Sequence, residues 1–590
     1  MNAASQIEEP VQNTSPAQLL FPLLSPAIST AERTKAIEAV LTACHGQRFR
    51  DELAEWVLQF LPAEALVPQI YVRWRPLVHD AMRFMLSRLS TSRLAPKLAE
   101  QIELPLDTKP ETRLLKLIAK VPGLQKLGQV LARNRHLPPA LRRALSELEN
   151  GICDYDVTQI RNIIQDELGS KLDAFAVEID TKIFFEGSVS AVVRFTWHNP
   201  AVNRRERAVF KVLKPHIPEC FAEDMDLLGQ LARYMGSRHR EYGFAQHVLP
   251  DTFNDVRRLL QHEVQFRREQ TTLAEAAALY KRLTSIRVPR VIKPLCTSRI
   301  TAVTEERGIK VTEAVRCMPK WQRAHVSQQL VEALIAVPLF ARGVDAMFHA
   351  DPHAGNLLYD RRHGELVILD WALTDRLTRA ERRHLTMLLM TVVLRDPIGA
   401  CNAIEALSSR KGRREKSKTK IIHACVTSFL NQLPVKRVPG AVDAMNLIEQ
   451  IAYEGIRLPT SLVMFRKALF TLEGILHDIG APQFSIESIV GRHILLNWLT
   501  NWKGVGLPLS VSDWIGLQCS ALLFPGRLLL QGAQNMVKPK VQTAQAPPQT
   551  TASSKSLSSS RRQRAVPHGI LKNARQAAKL HVTGSMADRA

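Results

Sequence analysis

What the chain lacks narrows its class. Its eight cysteines, Cys44, Cys153, Cys220, Cys296, Cys317, Cys401, Cys425 and Cys519, include no CxxC pair. A zinc ribbon and a disulfide framework are therefore disfavoured, and reduced thiols in a cytoplasmic protein are expected. Aromatics are 6% of the residues, too few for a fibrous or aromatic-rich binding scaffold. No uncharged apolar run reaches the roughly 18 residues of a membrane span. The nearest, Trp514 to Gly526, is short, is broken by Pro525, and lies between Asp513 and Arg527. The N-terminal MNAASQIEEPVQNTSP has no basic stretch before an apolar core, so no secretory signal is read. Acid is also scarce. Lys+Arg 79 against Asp+Glu 56 leaves +23, which favours an anionic partner: nucleic acid, an anionic membrane, or a phosphorylated ligand.

What is present is ordinary globular composition, 45% hydrophobic and 23% charged, in 590 residues. That length suggests about three to five domain-sized pieces. Residues 1–16 are polar with two prolines and read as a disordered N-terminus. Residues 17–110 read as helical; Leu53, Trp56, Val57 and Phe60 share one face at i, i+3, i+4, i+7. No repeat of fixed period occurs, which disfavours a helical solenoid. A second helical stretch spans 111–172. The period then changes. DAFAVEID (173–180), SAVVRFTW (190–197) and RAVFKVLK (207–214) read as short strands, with a hairpin turn at His198 to Asn203. Helical pattern follows over about 219–283, short strands near 288–311, and mostly helix over about 313–495. The apolar segment 496–535 leads into a disordered basic tail, 536–590, where residues 538–590 hold ten Lys+Arg against one acid, Asp588. This order predicts an α+β, two-lobed, protein-kinase-like fold. It would have a helical N-terminal extension, an N-lobe at 173–305 and a mostly helical C-lobe at 306–495.

Phe348–Asp370, FHADPHAGNLLYDRRHGELVILD, carries the strongest chemical signal. Asp351 and Asn356 are five apart, the spacing of a kinase catalytic-loop Asp and its metal-binding Asn. A short hairpin, Leu357–Tyr359 and Leu366–Leu369, then delivers Asp370. Phosphoryl transfer needs Mg²⁺ held by hard oxygen ligands and a carboxylate near the accepting hydroxyl. Asn356 and Asp370 would hold metal, and Asp351 would position or deprotonate the acceptor. A solvated loop followed by a helix-capping Asp is the bland alternative. His349 and His353 form HxDxH with Asp351, but no further ligand cluster is evident, so zinc is discounted.

Lys211 lies mid-strand in AVFKVLKP, pointing away from the face of Phe210 and Val212. A buried lysine needs a partner, and phosphate oxygens plus a carboxylate would supply one. The bland alternative is an exposed edge-strand lysine. Glu263, in LLQHEVQFRREQ, is the partner chosen. On one continuous helix Glu269 lies about 240° further round and could not face the same lysine. Phe185–Val192 is the strand-linking stretch that would cradle phosphates by backbone amides, through Gly187, Ser188, Val189 and Ser190. It has one glycine, so no multi-glycine flap is present.

These segments resemble the UbiB/AarF family of atypical protein-kinase-like proteins over about residues 115–480. The signature KxGQ is similar to Lys126-Leu127-Gly128-Gln129 and is followed by Leu137-Pro138-Pro139. An Ala-rich loop aligns with Phe185–Val192, AVKVLRP with Val209–Pro215, and ExDFRREA with Glu263–Glu269. HADPHPGN aligns with His349–Asn356, with Ala354 for Pro, and DFG with Asp370-Trp371-Ala372. The resemblance implies an N-lobe ion pair of Lys211 and Glu263, with Glu269 secondary. It implies a nucleotide–Mg²⁺ centre of Asp351, Asn356 and Asp370, and KxGQ helices packed over the site. It further implies ATP or ADP with Mg²⁺ as cofactors, and a role in quinone (ubiquinone) biosynthesis or lipid homeostasis at a membrane. Its other implied partners are a lipid or quinone-precursor ligand and a biosynthetic complex. Three departures stand out: Glu186 would repel phosphates if it faced them, Gln265 replaces an acid, and Trp371-Ala372 replaces Phe-Gly.

Three readings follow: an ATPase or phosphotransferase of the UbiB type; a nucleotide-binding pseudokinase scaffold, which the eroded loop favours; and, ranked low, a nucleic-acid-binding protein, for which no recognition motif or aromatic platform is found. The basic tail and the apolar 505–532 segment suggest peripheral attachment to an anionic membrane surface rather than a span.

Overall fold

The computed structural model of the protein describes residues 16–25, 28–43, 46–105, 107–119, 121, 123–125, 137–147, 156–187, 189–243, 248–341, 343–408, 416–435, 437–480, 486 and 509–537. Lys126, Gly128, Gln129, Ser188, the N-terminal 1–15, Cys44, Cys153 and the basic tail 538–590 lie outside them. Residues 1–532 form one compact unit and 533–590 a second. The described cysteines are free.

Strand chemistry builds the N-lobe. β1 (Glu178–Glu186), β2 (Ser190–Asn199), β3 (Arg204–Leu213) and, from further along the chain, β5 (Ile300–Thr304) form an antiparallel sheet in the order β1-β2-β3-β5. Alternation puts Ala191, Val193, Phe195, Ala208, Phe210, Val212, Ile300 and Ala302 on one buried face. Ile160, Ile163, Ile164 and Leu168 of the Val157–Leu168 helix cover it. Phe195 and Phe210 stack across the strands with ring centroids 3.7 Å apart. Burying each such side chain contributes about 1.5–3 kcal/mol. Lys211 consequently sits on the other face. The hairpin between β2 and β3 turns at Asn199–Arg204, as the sequence suggested. The first strand starts later than expected. Lys171–Ala174 forms a helical turn, and the chain breaks at Ala176, whose φ is +45°, before β1 begins. Phe185 and Glu186 are therefore strand residues, and the turn to β2 shrinks to 187–189.

Three helices follow β3: Ile217–Ser237, Val248–His262 and Phe266–Tyr280. The last two are separate. Glu263–Gln265 is a turn, and Gln265 has non-helical φ −90° and ψ 72°. The Phe266–Tyr280 helix is tied to the sheet by Gln270, whose Nε2 donates to the carbonyls of Thr297 and Ile300.

β4 (Ile286–Arg287) and β6 (Ile309–Lys310) flank the hairpin of β8 (Leu357–Asp360) and β9 (Glu365–Ile368), in the order β4-β9-β8-β6. β7 (Asp345–His349) pairs with β10 (Thr374–Thr378), setting His349 opposite Thr374. The remaining C-lobe is helical, with Arg379–Val393, Pro397–Ser408, Lys416–Gln432, Ala441–Tyr453 and Thr460–Asp478 packed into one large apolar core. This is the two-lobed kinase-like α+β arrangement.

The N-terminal helices join the N-lobe through a shared core in which Leu53, Leu94 and Leu98 pack with Val189, Leu213, Phe221, Leu228 and Phe266. Charged contacts lock the seam. Arg93, on the Thr91–Glu103 helix, places Nη1 3.0 Å from Glu223 Oε2 and Nη2 2.7 Å from Asp224 Oδ1. The Gly123 N–H donates to Asp224 Oδ2 at 2.7 Å. Burial raises the Asp224 pKa even against these partners. Arg93→Met should therefore destabilise the chain by about 3 kcal/mol, because it strands a buried charge. Denaturant unfolding would show this, and adding Asp224→Asn should recover part of the loss.

Candidate active site

Three elements converge on one ammonium. Lys211 Nζ, from β3, is 2.7 Å from Glu269 Oε1 on the Phe266–Tyr280 helix. It is 3.3 Å from Asp370 Oδ1, just after β9. Burial opposes the charge on Lys211, but Asp370, Glu269 and the more distant Glu263 outweigh it and raise its pKa. Burial pushes Glu269 up to about 7 against the pull of Lys211. The second oxygen of Glu269, Oε2, is buried without a hydrogen-bond partner.

The expected pairing with Glu263 is thus corrected: the partner bonded to Lys211 is Glu269. The physical reason is the break at Glu263–Gln265. Glu269 would face away from Lys211 only on one continuous helix, and the two glutamates lie on different elements. Glu263 is buried in the turn, within electrostatic reach of Lys211.

Asp370 has φ +47°, in the left-handed region that Asp tolerates better than most residues. Its Oδ1 accepts from the Ala372 N–H at 3.2 Å. Trp371 is fully buried, with Nε1 donating to Ile368 O at 3.1 Å. The glutamate-bearing helix holds the segment that follows: Thr272 Oγ1 donates to Trp371 O at 2.8 Å, and Arg268 donates to the carbonyls of Ala372 and Thr374. Ala372 is not among the residues with positive φ, so this backbone does not require the glycine of the family pattern.

Asp351 is buried at the end of β7. Its N–H donates to His349 Nδ1 at 3.1 Å, and His349 Nε2 donates to Leu369 O at 3.1 Å. Both ring nitrogens of His349 are thereby used, and burial pushes its pKa down to about 4. His353 Nδ1 accepts from the Gly355 N–H. The two histidines shape the loop, and no His/Cys/Asp/Glu ligand group forms around them among the described residues. The group that does have ligand spacing, Asp360, His363 and Glu365, already holds Arg287 as its cation. Asn356 donates Nδ2 to the Asp351 backbone carbonyl at 3.3 Å, and its backbone carbonyl accepts from the Leu369 N–H at 2.8 Å. Asn356 Oδ1 and the Asp370 carboxylate are hard oxygen donors of the kind Mg²⁺ takes.

The strand-linking turn is short. The Gly187 N–H donates to Ser190 O at 2.8 Å, and Val189 and Ser190 are buried. What those two can offer a phosphate is therefore backbone. Glu186 does not face the phosphate side. It is buried against Lys214 at 2.6 Å, with both side chains under 5% exposed. The repulsion expected from its sequence position is removed by that partner. Lys467, which sequence reasoning did not select, lies 3.4 Å from Asp351.

Residues 147–403 match the ABC1 atypical kinase-like domain. A protein of Actinobacillus pleuropneumoniae named "Probable protein kinase UbiB" is 24% identical over 402 residues, covering 64% of this chain and 69% of that protein. An uncharacterized Clostridium pasteurianum protein from the hydrogenase 1 5′ region is 22% identical over 375 residues, covering 62% and 67%. Among solved structures, the complex of Rv3197 with erythromycin from Mycobacterium tuberculosis is 16% identical with a TM-score of 0.42, covering 68% of this chain and 97% of that one.

The low pKa of His349 has a stability consequence. The unfolded chain takes up its proton near pH 6.5 and the folded chain only near 4. Stability contributed by keeping this ring neutral is therefore present above about pH 6.5 and lost as pH falls toward 4, by up to about 3 kcal/mol. His349→Gln should shrink that acid limb in pH-dependent melting. A residue of it should persist, because burial also lowers His262 to about 4.

Proposed function

We propose, from the match of residues 147–403 to the ABC1 atypical kinase-like domain, that this chain is a UbiB/ABC1-type protein that binds adenine nucleotide with Mg²⁺ and transfers or hydrolyses the terminal phosphoryl group. The observation that carries this is the Lys211–Glu269–Asp370 array, set beside Asn356 and Asp351. A cation clamped by an acid on a neighbouring helix is the phosphate-side half of a kinase site, and Asn356 with Asp370 is the metal-side half. Asp351 orients the acceptor. Bound Mg²⁺ would neutralise the charge that develops on the transferring group. The acceptor belongs to quinone or lipid metabolism, as the UbiB resemblance implies. Lys126, Gly128 and Gln129 limit access to the site.

Mg²⁺ with ADP at about 100 times Kd should stabilise the chain by about 2.7 kcal/mol, readable as a melting shift. Asp370→Asn should abolish the Mg²⁺-dependent part of that shift. Full retention by this variant would remove Asp370 from the metal site.

We also assign the chain to a membrane surface. No helix among the described residues is long and apolar enough to cross a membrane. The Val511–Val537 helix, which runs through Pro525, packs Leu517 and Trp514 inward together with polar groups and leaves other large apolar side chains outside. Asp513 pairs inward with Arg383, Arg527 with Asp396, and Gln531 bonds the carbonyls of Leu430 and Leu433. Outward stand Val511, Ile515, Leu522, Leu523, Leu529 and Leu530, with Leu522 82% exposed. Such a face, followed by ten basic residues in 538–590, suits an anionic bilayer surface. Each basic residue adds about 1 kcal/mol at most. The chain should sediment with anionic vesicles at low salt and less at high salt, and Leu522→Glu with Leu529→Glu should release it. Indifference of binding to both salt and these substitutions would place the contact elsewhere.

A further inference from the structure

β1 carries two consecutive exposed phenylalanines, and the sheet turns both to the face that bears Lys211. In register, Ile183 lies opposite Val193 and Phe185 opposite Val192. Two steps of β1 thus span one step of β2, and Phe184 is the extra residue. Such a bulge re-aims side chains and is common beside active sites. Val193 belongs to the buried sheet face with Phe195 and Phe210, so Val192 and Arg194 point to the other face, with Lys211. Cross-strand partners share a face, which puts Phe185 there with Val192. Phe184 is there too, because Arg194 Cζ lies 3.6 Å from its ring centroid. Arg194 is itself fixed. Its Nε donates to Glu305 Oε1 at 2.7 Å, and Glu305 Oε2 is 2.8 Å from Arg207 Nε. Phe184 is 52% and Phe185 51% exposed, whereas Val192 and Val209 on the same face are half-buried.

On the nucleotide reading above, on which this inference rests, Lys211 and the turn at 187–189 mark the phosphate end of the cleft. Val192 lies opposite Lys211, and Arg194 lies opposite Val209, two residues or about 7 Å further from that turn. A nucleotide lying along the strands with its phosphates at Lys211 therefore carries its base toward Val209, Arg194 and the Phe184 ring. Every base has a flat π-face, and an aromatic side chain stacks on it without reading its edge. We propose that Phe184 and Phe185 form an aromatic ceiling on which the nucleobase stacks, with Arg194 holding the Phe184 ring in place. The two rings stand where the family pattern has its Ala-rich loop. This chain thereby draws from the base the affinity that its turn, with one glycine, does not draw from the phosphates.

The test is calorimetric binding to the full chain of Mg²⁺ with ADP, and of Mg²⁺ with inorganic pyrophosphate, which has the phosphates and no base. Phe184→Ala with Phe185→Ala should weaken ADP by about tenfold or more, while pyrophosphate, the weaker ligand from the start, stays within about twofold. Phe184→Tyr with Phe185→Tyr should keep ADP affinity. Phe184→Leu with Phe185→Leu, which keeps apolar bulk without a π-face, should lose it. Melting without ligand checks that each chain is folded, and exposed rings should leave it little changed. A structural role alone would lower the melting temperature and weaken ADP and pyrophosphate together. Unchanged ADP affinity in a folded alanine or leucine variant, or equal losses of ADP and pyrophosphate, overturns this inference alone. Failure of the wild-type chain to bind ADP overturns it together with the reading beneath it.

Discussion

One ammonium holds the cleft together. Lys211 stands between Glu269, which is buried, and Asp370, which is 39% exposed, carboxylates from two different elements whose like charges it offsets. The bond to Glu269 is short and the contact with Asp370 is longer. That asymmetry suits a site where Glu269 is a permanent partner and Asp370 has a second task. The rest of the local fold serves the same triangle. Gln270 fixes the glutamate helix to the sheet, and Thr272 and Arg268 fix it to the backbone beyond Asp370. A shift of that helix would therefore move the lysine's partner and the Asp370–Thr374 segment together.

The C-lobe half of the site was legible because its chemistry is local. Asp351, Asn356 and Asp370 fall within twenty residues, and a hairpin with clear strand alternation sets the distance between the last two. Lys211 was legible for a similar reason, since two-residue periodicity alone puts it opposite Phe210 and Val212. Glu269 was missed because a helical period was carried through His262 into Phe266. The chain turns at Glu263–Gln265, and no Gly or Pro marks the turn. The late start of β1 was missed because the helical turn at Lys171–Ala174 is only four residues long, and no Gly or Pro marks the positive φ at Ala176 that separates it from the strand. Lys467 could not have been found from spacing, since tertiary packing of a distant helix brings it to Asp351.

The N-terminal helices belong to the same physical system. Val189, in the turn between β1 and β2, and Phe266, at the start of the glutamate helix, are buried in the cluster those N-terminal helices complete. Arg93 and Gly123 converge on Asp224, so the segment leading toward Lys126 is anchored on a helix of the N-lobe. The extension is part of the N-lobe core, and its loss would expose apolar surface directly beneath the turn.

The departures from the family pattern look different once their partners are seen. Glu186 is unfavourable only as a free charge near phosphates. Paired with Lys214 and withdrawn from water, it becomes a buried strut between β1 and the end of β3, costly to break from either side. Trp371 fills a fully buried place, stacked edge-on with His349 at 5.0 Å, which ties the Asp370 segment to the Asp351 loop. Ala372 occupies ordinary backbone, and the left-handed conformation falls on Asp370 itself. A glycine at position 372 would keep the backbone carbonyl that accepts from Arg268 and add only conformational freedom that this backbone does not need. The substitutions therefore leave the segment after Asp370 held by packing and by hydrogen bonds to its backbone, and they leave the Asp370 carboxylate itself unaltered.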